Sequence, residues 1–289
     1  MKKIWFITGA SRGLGLAIAK AALEAGNIVV ATARNKQKIE EQFGNAPNVQ
    51  ALSLDVTDKE SVESAVKEAV NRFGGIDVLV NNAGYGLLGW FEDMTDEQIR
   101  SLYETNVFGV MNVTRAILPV MRDRKSGHIF TITSVSGIFS VAGGAIYASS
   151  KFAVEGLMEG MAQEVKPLGI SSTIIEPGFF KTDFLDSSSV KYSEKNIPDY
   201  APQFKAFREW HENMNHKQVG DPAKLGALLV KLSTMPEPPV RIAAGSDGVG
   251  AILEKAQNLQ SEAERNRSLS ESTDGESDTK ISSMTEIGR

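Results

Sequence analysis

The sequence predicts an α/β chain, a doubly wound parallel sheet covered by helices in three layers, and three observations carry that prediction. Short apolar, β-branched runs recur at 4–7, 28–32, 49–54, 76–80, 128–133, 171–175 and 241–244, with longer helical patterns between them. These runs are apolar throughout rather than alternating, as strands buried on both faces must be. Helix starts are signalled in the intervals: Thr57 with Glu60 and Thr95 with Gln98 read as capping boxes, and Asp221-Pro222 places a cap before a first-turn proline. In such a sheet the crossovers are right-handed and ligands sit at the carboxyl ends of the strands, so functional residues are expected just after each run.

Taken in order, the first run ends in Thr8-Gly9-Ala10-Ser11-Arg12-Gly13-Leu14-Gly15 and then a helical pattern to Leu23. Gly9, Gly13 and Gly15 let backbone N–H groups approach a pyrophosphate at a helix N-terminus, where unpaired donors and the helix dipole favour anions. A glycine triplet alone is only a tight turn; between a strand and a helix it is a dinucleotide cradle. The second run closes on Ala31-Thr32-Ala33-Arg34, without the acid that commonly holds an adenosine ribose. Arg34 and Arg12 can instead fork onto a 2'-phosphate, which favours NADP(H) over NAD(H), although two solvated surface charges would look the same.

Further along, the helical segment 146–165 sets Tyr147 and Lys151 four apart, one turn from each other on one face. An ammonium there can acidify a phenol, whose free pKa near 10 is too high for efficient proton transfer at neutral pH. Taken alone, the pair is also a common surface pattern. Ser134 follows the run 128–133, where its hydroxyl can donate to a developing alkoxide or simply satisfy the strand end. Asn106 interrupts the helical run that starts near Thr95, and a poor helix former there wants a reason.

At this point the sequence resembles the short-chain dehydrogenase/reductase family from residue 4 to about 250. The resemblance rests on the glycine triplet, Asp55-Val56, Asn81-Asn82-Ala83-Gly84, Asn106, Ser134, Tyr147-x-x-x-Lys151 and Pro177-Gly178, in that order. It implies a Rossmann-type sheet of seven strands and a catalytic tetrad of Asn106, Ser134, Tyr147 and Lys151. Asn106 would bend its helix and hold a water that relays protons, and Lys151 would also hold the nicotinamide ribose. Asp55, Val56, the backbone of Asn82, Ala83 and Gly84, and Pro177, Gly178 and Thr182 would join Gly9, Ser11, Arg12, Gly13, Leu14, Gly15, Arg34, Tyr147 and Lys151 around the cofactor. The activity implied is interconversion of a ketone or aldehyde and an alcohol. An NAD-preferring alcohol or hydroxysteroid dehydrogenase and a non-catalytic NADPH-binding regulatory protein are the alternatives. Family members often pair through the two helices that here contain Asn106 and Tyr147, so a homodimer or homotetramer is expected. The apolar stripe Val107, Val110, Met111, Thr114 and Leu118 permits this, but a core face would read alike.

The rhythm breaks at 179–219, where aromatics mix with Ser, Lys and Asp; the segment reads as a lid-like insertion or as a surface excursion. Phe179, Phe180, Phe184, Tyr85, Leu87, Leu88, Trp90 and Phe139 either wall one apolar pocket, suited to a bulky hydrophobic carbonyl or alcohol, or belong to the core. Residues 1–260 are expected to form one domain, with 261–289 as a polar tail disordered over 269–289. A net charge of −5 and no cysteine weigh against a nucleic-acid partner and exclude disulfides and thiolate metal sites, and no metal site is expected with three histidines. No apolar run nears the roughly 20 residues that span a bilayer. Lys2-Lys3 and the four apolar residues after them are too short for an export signal, so a soluble, cytoplasmic protein is expected.

Overall fold

A computed structural model describes residues 2–44, 46–186, 189–195, 197–215 and 217–275. In chain order the elements are β1 (Ile4–Thr8), α1 (Gly13–Glu24), β2 (Ile28–Ala33), α2 (Gln37–Phe43), β3 (Val49–Ser53), α3 (Lys59–Phe73), β4 (Val78–Asn81), β5 (Gly86–Leu88), α4 (Asp96–Tyr103), α5 (Gly109–Arg124), β6 (Gly127–Ile132), α6 (Ala145–Val165), β7 (Ile170–Pro177), β8 (Val190–Tyr192), α7 (Ala201–Met214), α8 (Pro222–Ser233), β9 (Arg241–Ala244), α9 (Ser246–Arg265) and α10 (Arg267–Glu271). Among the described residues seven strands form one parallel sheet in the order β3-β2-β1-β4-β6-β7-β9, with each predicted run in it. Strand order reverses between β1 and β4, which opens a crevice at their carboxyl ends.

Both faces of the sheet are covered, which explains the unbroken apolar runs. On one side Val62 and Val66 of α3, Val113 and Ile117 of α5, and Val154 and Met158 of α6 pack against Phe6, Val30 and Ile129. On the other, Ile18 of α1, Ile39 of α2 and Leu225 and Leu229 of α8 meet Ile7, Val29, Val80 and Phe130.

Two of the three helix-start expectations are met. Thr95 and Gln98 form a reciprocal capping box on α4, and Asp221 accepts from Ala223 N at the start of α8. The third is corrected: α3 is capped by Asp58, which accepts from Glu60 N and Ser61 N, while Thr57 donates through N and Oγ1 to Asp55 Oδ1. A carboxylate one residue nearer the helix takes the orphan donors, and the threonine is left to an Asx turn.

The α5 stripe is also resolved. Val107, Val110 and Thr114 are buried in the core, and the half-buried Met111 and Leu118 pack against it, so the stripe contributes to the core. Helix α9 runs to Arg265 and α10 to Glu271, so the start of the expected tail is helical; residues 276–289 lie outside the described residues. The chain divides into a compact unit of Met1–Ile252 and a second of Leu253–Arg289, a boundary inside α9 rather than at 260. No helix among the described residues is long and apolar enough to cross a membrane, and no cluster of His, Asp and Glu among them could hold a metal.

Candidate active site

A cavity of about 1820 Å³ opens at the carboxyl edge of the sheet. Its first wall is the glycine loop. Gly9 and Gly13 have φ of +66° and +56°, the left-handed region that favours glycine. A Cβ on Gly15 would stand 2.4 Å from both Asn82 Nδ2 and Gly9 O, so only glycine fits there. Asn82 Nδ2 donates to Thr8 O and Gly9 O, and Thr8 Oγ1 accepts from Asn82 N and Ala83 N. The Asn82 side chain is thus a brace between the ends of β1 and β4, and what the 82–84 segment offers the cavity is backbone. No side chain caps α1, so its first-turn donors face the crevice.

Gly9, Ser11, Arg12, Gly13, Leu14, Arg34, Asp55, Val56, Asn82, Ala83, Gly84, Pro177, Gly178 and Thr182 all line this cavity; Gly15 lies behind it as packing. Arg34 follows β2 directly and lines the cavity with Arg12, and Lys38 adds a third cation to the lining, which the sequence reading missed. Its position four residues after Arg34, at the start of α2, was the available signal. Asp55 holds Thr57 through Oδ1.

Ser134, Tyr147 and Lys151 line the same cavity. Ser134 Oγ accepts from Ser136 N at 3.1 Å and also hydrogen-bonds the Tyr147 phenol, so it serves the strand end and the tyrosine together. Lys151 Nζ donates to Ile132 O at 3.2 Å and stands 5.8 Å over the Tyr147 ring. Asn106 is 1 % exposed and does not line the cavity. It accepts from Tyr85 N, donates to Tyr85 O and Ser150 Oγ, and sits in a π-helical turn at Glu104–Phe108 that joins α4 to α5. The poor helix former therefore marks a wide turn, where extra backbone room admits its amide.

Electrostatically, burial dominates the site. Burial pushes the Tyr147 phenol up to about 12, only partly offset by the Ser134 hydrogen bond, and burial pulls Lys151 down to about 8 against the opposing charge of Glu155. In these surroundings the cost of desolvating a phenolate exceeds what the hydroxyl returns, so the protein alone keeps Tyr147 a neutral acid. Glu155, one turn beyond Lys151, is bound by Arg241 at 2.9 Å; Arg241 also pairs with Glu176 at 2.7 Å and Glu159 at 2.9 Å. The spacing of Glu155 from Lys151 was legible in the sequence, but the pairing with β9 was not.

Of the expected pocket residues, Tyr85, Leu88, Phe139, Phe179, Phe180 and Phe184 line the cavity. Leu87 is instead core with Met94 and Leu102, and Trp90 packs against Tyr200, Phe204 and Phe207. The insertion is tied down rather than loose: β8 pairs with β5, Gln98 Nε2 donates to Tyr192 O, and Ile197 N donates to Asp93 Oδ1. Its helix α7 brings Phe207, Trp210 and His211 to the cavity, and Gln218 follows from the segment after it. Asp247 braces the other side by accepting from Phe179 N at 2.7 Å. These contacts join residues far apart in the chain, and no local pattern announces them.

The model of the short chain dehydrogenase family matches residues 3–193. The chain is 40% identical over 273 residues to oxidoreductase BOA17 of Botryotinia fuckeliana, covering 93% of this chain and 98% of that one. It is 37% identical over 247 residues to 3-ketodihydrosphingosine reductase of Bacteroides thetaiotaomicron, covering 84% and 88%. A short-chain dehydrogenase from Streptomyces avermitilis superimposes with a TM-score of 0.87 at 39% identity, over 94% of this chain and 98% of that one. Further structures of similar fold were solved with NADP or with NAD bound.

Proposed function

The chain belongs to the short-chain dehydrogenase/reductase family of oxidoreductases, and from that premise we propose that it is an NADP(H)-dependent reductase of hydrophobic ketones or aldehydes, with Tyr147 as the proton donor. The observation that supports this reading is that Tyr147, Ser134 and Lys151 line the same cavity as the glycine loop, Arg12, Arg34 and Lys38. The glycine loop fits a dinucleotide: a Cβ at Gly15 would collide with the loop, and the α1 donors have no side-chain cap. The pyrophosphate would lie on Gly9, Ser11, Gly13 and Leu14, Arg12 and Arg34 would hold a 2'-phosphate, and Asp55, Val56 and the 82–84 backbone would flank the adenosine. Pro177, Gly178 and Thr182 would flank the nicotinamide, and Lys151 would bind its ribose. When bound, the reduced nicotinamide supplies the hydride.

The chain's own residues manage the proton. A phenol raised to about 12 is fully protonated at neutral pH, the form that donates to a carbonyl oxygen as it gains charge. Ser134 donates a hydrogen bond to that oxygen, and Lys151, protonated below about 8, stabilises the tyrosinate left behind. Asn106 acts at one remove, fixing the backbone of Tyr85 and the hydroxyl of Ser150 beside Tyr147 and Lys151. Tyr85, Leu88, Phe139, Phe179 and Phe184 leave an apolar wall with one polar corner, which selects a hydrophobic substrate. The relative named a 3-ketodihydrosphingosine reductase is a ketone reductase, in keeping with the reading. The same reading makes the protein a dimer or tetramer through the α4–α5 segment and α6, where Phe108, in the turn before α5, and Phe152, on α6, are exposed.

The test is NADPH consumption against a panel of hydrophobic ketones and aldehydes, with Tyr147→Phe beside the wild type. The variant is expected to bind NADPH as before and to lose turnover by about a hundred- to ten-thousandfold, the usual worth of a general acid. Unchanged turnover would remove Tyr147 from the mechanism.

A further inference from the structure

Behind Tyr147 and Lys151 lies a second polar cluster, of which Glu155, Glu176 and Arg241 do not line the cavity. Helix α6 sets Lys151 and Glu155 one turn apart, and both are buried, at 8 % and 4 % exposure. They meet consecutive residues at the end of β6: Lys151 Nζ donates to Ile132 O, and the Thr133 hydroxyl stands against the Glu155 carboxyl. The turn Val135–Gly137 closes over the same side chain, since a Cβ on Gly137 would come to 2.8 Å from Glu155 Cγ. The glutamate is therefore fixed next to the lysine, with water kept out.

The charged and titratable groups around Glu155 are Lys151 and Glu159 on α6, Glu176 on β7 and Arg241 on β9. Arg241 decides which buried carboxyl is the anion. Its Nη2 donates to Glu155 Oε2 at 2.9 Å and to Glu159 Oε2 at 2.9 Å, and its Nε donates to Glu155 Oε2 at 3.3 Å. Glu176 Oε1 stands 2.7 Å from Nε, yet neither Glu176 oxygen has an aligned hydrogen bond among the described residues. A carboxylate that accepts charged donors is stabilised as the anion, whereas a buried one that accepts none favours its proton. Burial raises both groups, but Thr133, Arg241 and Lys151 oppose it at Glu155, while Glu176 goes to about 7 and ionises last. Lys151 itself donates to a neutral carbonyl, and a buried ammonium so placed gives up its proton readily unless an anion stands near. That anion is Glu155.

We propose that Glu155 is a positioning residue of the active site: a buried carboxylate, clamped by Arg241 and backed by Thr133 and Gly137, that keeps Lys151 an ammonium beside Tyr147 and so sets the upper end of the pH range in which the protein works. Its effect on Lys151 stands on the cluster alone, and its effect on turnover rests on the reductase reading. Glu155 touches neither substrate nor cofactor in this account and acts only through the lysine.

The experiment titrates Lys151 directly, by NMR of isotope-labelled lysine side chains in the cofactor-free protein, with the resonance assigned through Lys151→Met. The wild-type midpoint is expected near 8. In Glu155→Gln it should fall by about one pH unit, the low end of what a close opposite charge supplies. Glu155→Asp keeps the charge and should stay near the wild type. Glu159→Gln should not move the midpoint, because that carboxylate is exposed and screened. Reduction of a hydrophobic aryl ketone by NADPH is followed alongside. In Glu155→Gln, kcat/KM should drop about fivefold near pH 8 and hardly at all near pH 6, where the ammonium is formed in either protein. An unmoved Lys151 midpoint, with any loss of activity equal at both pH values, would make Glu155 a structural residue and overturn the proposal. Circular dichroism melts check folding. Should Glu155→Gln fail to fold, the wild-type carboxyl resonances decide, assigned through Glu155→Asp: a Glu155 that ionises before Glu176 supports the proposal, and one still protonated near pH 8 overturns it. A midpoint that falls in Glu155→Gln, in a protein that reduces no ketone, would uphold the hold of Glu155 on Lys151 and overturn the reductase reading instead.

Discussion

Arg34 shows how much one side chain at a strand end can decide. In the proposed NADP(H) reading it takes the place of an acid that would repel a 2'-phosphate, and Arg12 and Lys38 line the same cavity. A charge-assisted hydrogen bond to phosphate is worth about 1.5–3 kcal/mol, or roughly ten- to a hundredfold in binding. Arg34→Ala is accordingly expected to raise the KM for NADPH by that factor while leaving the KM for NADH nearly unchanged. Steady-state kinetics with both cofactors would decide it, and a wild-type preference for NADH would refute the assignment. Tyr147 carries the opposite lesson. Its spacing from Lys151 suggested an acidified phenol, yet Lys151 donates to Ile132 O and lies over the ring face, and burial wins.

Between residues, the elements interlock at the switch in strand order. The β1–α1 loop and the β4 end share Thr8, Gly9 and Asn82, so glycine loop and sheet edge are one construction. Gly15→Ala would drive a Cβ to 2.4 Å from two heavy atoms of that joint. Overpacking of this kind costs about 1–3 kcal/mol. The variant should melt several degrees lower and bind NADPH far more weakly; an unchanged melting temperature with intact binding would show that the joint gives way easily. The insertion is built by the same means. Its aromatic content was plain in the sequence, but its attachment to β5, Asp93 and Gln98 needed the strand pairing of β8.

Across the whole molecule, two buried titratable groups set opposing pH trends. Glu176, unexposed beside Glu155 and Arg241, is raised to about 7 from 4.5, chiefly by burial. The folded state then binds more protons than the unfolded one between those values, and stability falls as pH rises through that window. His128, buried against Phe130 and Thr173, is lowered from 6.5 to about 3, again by burial first. It binds fewer protons when folded, so its contribution rises with pH over that range. From about pH 4.5 to 6.5 the two oppose each other. Glu176→Gln should remove the falling contribution, so its melting temperature should climb more steeply over that interval than the wild type's, as scanning calorimetry would show. Parallel curves would mean that Glu176 is ionised in the folded protein throughout. The seven-stranded sheet, its glycine loop and the positions of Ser134, Tyr147 and Lys151 could be read from the chain alone, because burial period, turn chemistry and helical spacing are local. The attachment of the insertion, the burial that keeps Tyr147 neutral and the Arg241 cluster were decided only by tertiary structure, since each depends on distant segments meeting and on how much water their meeting excludes.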